Sequence, residues 1–142
     1  MNVVPADEAR TRAFARVIGP FVTIVAIIAA VRMPEITATP FLSTFFENPV
    51  TVWITGAMLL LLGLIIIGQH QSWSSAAAAL ISLLGWILVI RGVALLTVPQ
   101  LYERFALALT NVTGLRIGSG LMALIGIWLS YVGWFSSPAA KS

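Results

Sequence analysis

One formal charge, Arg91, stands well inside an apolar run, about seven residues before Val98. At 1.5 Å per helical residue it lies roughly 10 Å from that helix end. A guanidinium this deep can snorkel only part of the way to water. Left alone at a helix centre it costs about 2.5–3.5 kcal/mol on insertion scales. It is therefore expected to be held by an acid, with Glu103 or Glu47 first and Glu35 third, or else to draw an anion along a wet path. His70 is the only histidine. A neutral imidazole there could ligate a haem or a chlorophyll-type pigment, or titrate near neutrality; a plain turn residue is the simpler reading. Trp86 and Trp128 fall near mid-span, where they fill space between helices or face acyl chains.

Two stripes of small residues recur at heptad-like spacing: Ala78, Ser82, Gly85, Val89 and Gly92, then Ser119, Ala123, Gly126, Ser130 and Gly133. Without a hydrophobic drive between helices in lipid, small faces supply contact by letting backbones approach. The stripes are expected to pack against each other, antiparallel. Gly114 and Gly118 form one further small-xxx-small pair, and Asn111-Val112-Thr113 fits a glycosylation acceptor.

What is missing narrows the chemistry. No span contains Asp or Glu, so a proton relay through membrane carboxylates is excluded. One histidine leaves one conventional base, there are no paired carboxylates, and no glycine loop could cradle phosphate, so the chain is not expected to be an enzyme. The absence of cysteine removes disulfides, thiolate zinc sites and iron–sulfur ligation. Eight scattered Lys and Arg, net charge +3, make no basic stripe, so nucleic acid is not an expected partner.

The elements that must position these residues follow from composition. The chain has 142 residues, 59% hydrophobic and 9% charged, against roughly 45–50% and about 25% in soluble domains. Four spans of about 20 residues with short loops consume nearly all of it. The apolar runs place them at about 16–33, 50–68, 76–98 and 117–134, in one all-α membrane domain over 1–142. The run after Arg10, Arg12 and Arg16 has no clear A-x-A cleavage site and is read as a retained span. No Asp, Glu, Lys or Arg occurs between Glu47 and Arg91, and the short polar turn from Gln69 to Ser75 makes spans two and three a hairpin. The connections from Met33 to Pro49 and from Pro99 to Arg116 pair Phe or Tyr with a carboxylate, as amphipathic interfacial segments do, and should share one side. Each also reads as a proline, an aromatic and acidic stretch, then Asn48 or Asn111, a faint echo that parallel duplication of a helical hairpin would explain.

The arginines before span one favour both termini in the cytoplasm. Trp53, Trp73 and Trp134 then fall near the interfaces. The segment Gly85-Trp86-Ile87-Leu88-Val89-Ile90-Arg91-Gly92, with Pro99 after it, Asn48-Pro49 before span two and His70 to Trp73 after it, resembles small uncharacterised four-helix bacterial inner-membrane proteins. The resemblance covers about half the chain and implies four helices in a bacterial inner membrane, but no activity. The expectation is a non-enzymatic accessory or assembly subunit, contacting lipid and other membrane subunits or itself. Alternatives are a small oligomeric transporter or channel using Arg91, and a pigment- or haem-binding subunit using His70.

Overall fold

The computed structural model describes residues 6–32, 41–109 and 112–135. Glu35, Asn111 and Lys141 lie outside the described residues. Six helices follow in order: α1 Ala6–Val31, α2 Phe41–Glu47, α3 Pro49–Gln69, α4 Ala76–Thr97, α5 Pro99–Leu109 and α6 Val112–Trp134. No strand occurs among the described residues. Four helices, α1, α3, α4 and α6, are long and apolar enough to cross a membrane, so this is an all-α integral membrane bundle. The short α2 and α5 occupy the two longer connections.

The ends of the middle spans follow local chemistry. Asn48 Oδ1 accepts from the amides of Val50 and Thr51 at 3.1 and 3.2 Å, and Pro49, with no amide to satisfy, is the first residue of α3. Ser75 Oγ accepts from the Ala78 amide at 3.2 Å and starts α4. The outer spans are longer than hydropathy alone implies. α1 begins ten residues before the expected start at 16, because Asp7 and Glu8 suit the positive end of the helix dipole and the alanines that follow are strong helix formers. α6 likewise begins at Val112, ahead of the expected 117.

Both small stripes are packing faces, but they do not face each other. α1 pairs with α6 and α3 pairs with α4, each pair antiparallel. A Cβ on Gly126 would stand 2.5 Å from Thr23 Oγ1 and 2.7 Å from the Thr23 amide nitrogen, and one on Gly133 would stand 2.6 Å from that of Arg16. On the other pair, a Cβ on Gly92 would come within 2.6 Å of the Leu60 nitrogen. The reason the expected partnership of spans three and four fails is that α1 and α3 carry complementary small residues of their own, Gly19 on α1 and Gly56 and Gly63 on α3, which claim the stripes first. Ser119 is half-buried and donates to its own helix at Arg116 O, 3.2 Å. Gly118 has open space around it.

The two pairs are built alike. Gly63 approaches Val89 N and Gly85 O at 2.7 and 2.8 Å, and Gly126 approaches Thr23 N and Gly19 O at 2.7 and 3.0 Å, all measured from the added Cβ. Gly19 and Gly85 are 66 positions apart, as are Thr23 and Val89, while Gly63 and Gly126 are 63 apart. The correspondence extends to polar contacts: Arg16 Nε donates to Gly133 O at 2.8 Å, and its counterpart Ser82 donates through Oγ to His70 O at 3.4 Å. The core repeats it too, with Ala15 beside Ile81 and Ile66 beside Leu129. Thus the α1·α6 and α3·α4 pairs repeat one contact pattern at a fixed offset, a packing counterpart to the echo between the two connections.

The core lies toward the end of the bundle where the chain begins and ends. It gathers Ala15, Ile18, Ile66, Ala77, Ile81 and Leu129, with Phe14, Leu84 and Val132 against them. At the opposite end α2 touches α5, and Phe46 meets Tyr102 with ring centroids 6.2 Å apart. The two connections therefore share one side, as expected. Trp86 and Trp128 are 42% and 41% exposed on the outside of the bundle.

Candidate functional site

Two polar constellations stand out, one at each end. At the connection end, Arg91 Nε donates to the Tyr102 hydroxyl at 2.7 Å, and the guanidinium carbon lies 5.9 Å from the Tyr102 ring centroid. Pro99 begins α5 immediately after α4, so Tyr102 reaches back toward the membrane while Arg91 reaches out. The expected acid partner is not used: among the described residues no ion pair joins Arg91 to Glu103 or Glu47. The physical reason is that three residues after Pro99 the tyrosine takes the nearer position, and a neutral phenol satisfies one donor without the dehydration of a second charge. Tyr102 was missed because a tyrosine in an amphipathic interfacial segment reads as an anchor rather than a partner.

The repeat offers an internal comparison. Val25 is the α1 counterpart of Arg91 by the 66-residue spacing. The α1·α6 pair packs with that valine in place, so close packing of such a pair does not require a charge there.

At the same end of the bundle is a pocket of 170 Å³, whose lining includes neither Arg91 nor Tyr102. Val52 and Leu95, both nearly inaccessible, form its floor. Phe46 and Trp53 supply aromatic walls, and Gln100 and Glu103 line it from α5. Glu103 is half-buried, with no ion pair or hydrogen bond to its carboxylate among the described residues.

At the termini end, His70 is not a solvated turn residue. It is 2% exposed, its ring stacked on Phe14 of α1 at 5.5 Å between centroids, and its Nε2 is enclosed with no hydrogen-bond partner. The turn that carries it is pinned by Ser82, whose Oγ donates to Ser72 O at 3.0 Å as well as to His70 O. Burial holds the imidazole below its ordinary value of 6.5; Asp7 and a backbone hydrogen bond with Ala78 oppose this, and Arg10 adds to it. Arg12 Nε is enclosed nearby without a partner. Arg16, besides its bond to Gly133 O, stacks over Trp134 at 5.7 Å. A macrocycle on His70 would have to displace Phe14, and among the described residues no group of three or more His, Cys, Asp or Glu could hold a metal ion.

The stripe residues are thus split between the two pairs: Ser82, Gly85 and Gly92 against α3 or its turn, and Gly126, Ser130 and Gly133 against α1. Ala123 is half-buried on the same helix. Compared with family models, curated proteins and solved structures, the chain matches none.

Proposed function

We propose that this protein is a small non-enzymatic membrane subunit that packs against a larger membrane complex or a further copy of itself, in a bacterial inner membrane with both termini cytoplasmic. The observation that carries the reading is how little of each span is used internally: the most apolar windows are 11% to 28% buried. Large apolar side chains point outward all along the bundle, among them Phe21, Ile24 and Ile28 on α1 and Leu121 and Leu124 on α6. The hydroxyls of Thr23, Thr97 and Ser130 donate to carbonyls of their own helices at 2.8 Å each. This is how polar groups are kept inert in lipid. The resemblance of spans two and three to small inner-membrane proteins and the arginines before span one support the compartment and orientation.

Extraction of the full chain in a mild detergent tests this, with mass measurement of the intact particle and an absorption spectrum. The expected result is a discrete particle containing a second protein chain in fixed ratio, and no visible absorption band. An oligomer of this chain alone that carries an anion across liposome membranes in an Arg91-dependent way would support the transporter reading instead, and a visible band lost in His70→Ala would support the pigment reading.

A further inference from the structure

We infer that the pocket between α2, α3, α4 and α5 seats the headgroup of an ammonium-bearing phospholipid from the leaflet on the connection side. Four observations converge on that occupant. The floor is apolar and closed by Val52 and Leu95, so whatever enters must tolerate a dry wall. Trp53 and Phe46 stand at its sides, and aromatic faces attract cations. Glu103, a half-buried residue, brings a carboxylate to the pocket lining with no ion-pair or hydrogen-bond partner among the described residues. A carboxylate at the edge of an apolar, aromatic-walled site attracts a cation. Arg91 completes the order from outside the pocket lining: it lies on α4 one turn below Leu95, toward the membrane interior, with Nε committed to Tyr102 and its terminal nitrogens outside that bond. A phospholipid runs from acyl chain to phosphate to ammonium in the same direction, so its phosphate would meet Arg91 and its ammonium would meet Glu103. Arg91, where the position 66 residues earlier is Val25, then has a use that packing does not supply.

The test is lipid retention by the intact chain, measured by native mass spectrometry after exchange into detergent with equal phosphatidylethanolamine and phosphatidylglycerol of matched acyl chains. The unsubstituted protein should keep phosphatidylethanolamine preferentially. Glu103→Gln should reduce that preference about tenfold, the effect of losing one charge-assisted hydrogen bond, while Glu47→Gln, on α2 but outside the pocket lining, should leave it unchanged. Gln100→Lys, at an exposed position, should lower it as well by placing a like charge at the pocket, and provides a second reading should Glu103→Gln fold poorly. An unchanged lipid ratio in both Glu103→Gln and Gln100→Lys would overturn the proposal, as would an equal loss in Glu47→Gln. Soluble ethanolamine displacing the lipid at equimolar concentration would overturn the lipid as the source of the ammonium.

Discussion

His70 and Arg91 show how a residue's role turns on what surrounds it rather than on its type. For His70, burial favours the neutral imidazole in the folded protein, so the unfolded chain takes up a proton first as pH falls. Its contribution to stability is therefore complete above pH 6.5, its ordinary value, and is lost as pH drops through the lowered folded value. Thermal unfolding in detergent should show a melting temperature that falls on acidification below 6.5, with the dependence flattened in His70→Phe, which keeps a ring against Phe14. An equal slope in that variant would assign the effect to another group. For Arg91, the hydrogen bond to Tyr102 contributes about 1.5–3 kcal/mol at most, which the cost of about 2.5–3.5 kcal/mol for holding the charge in an apolar span offsets. Arg91→Leu should therefore leave the melting temperature unchanged or raise it, and a loss of several degrees would mean that the charge is structural after all. Neither environment was legible beforehand. The sequence placed Arg91 correctly in the third span and supplied acids as candidates, but whether a phenol or a carboxylate reaches it depends on the angle at which α5 leaves Pro99. The burial of His70 likewise depends on α1 extending back to Ala6 and bringing Phe14 over the turn.

At the scale of helices, close packing rests on a few glycines that admit the facing backbone. Gly126→Leu should cost more than the roughly 1–3 kcal/mol typical of overpacking, since the obstruction at 2.7 Å is the Thr23 backbone nitrogen, which cannot swing aside. The volume-conserving Ile125→Leu should cost less than about 1.5 kcal/mol. Equal losses of helix-bundle stability in the two variants, measured by unfolding in mixed micelles, would remove the argument. Asn48→Ala should cost about 1 kcal/mol through loss of the two amide contacts at the start of α3. The four spans could be read directly because apolar runs of this length have few other uses, and Gly85, Gly92, Gly126 and Gly133 of the stripes stand where a neighbouring helix comes close. Their partners could not be read, because a stripe records that a neighbour comes close without recording which one. Gly56 and Gly63, spaced seven apart on α3, were the available clue.

For the whole molecule, the account is of two like units, α1–α3 and α4–α6, joined so that the first helix of each packs on the last helix of the other, with the core gathered at the termini end. This places the connection end, with α2, α5, Tyr102 and Glu103, on one side, and His70 with the arginines of α1 on the other. The orientation proposed for it predicts that reporters fused to either terminus are active only in the cytoplasm, and activity outside would reverse it. The pairing itself is open to a direct test because the chain has no cysteine, so any disulfide must come from introduced residues. By the repeat spacing, Ala26 faces Ala123 as Gly92 faces Leu60. Oxidative cross-linking of Ala26→Cys/Ala123→Cys in native membranes should join α1 to α6 in high yield, detected after proteolytic cleavage between them, while Val89→Cys/Ala123→Cys, which would join α4 to α6, should not react. Efficient linkage of the second pair and none of the first would contradict the architecture.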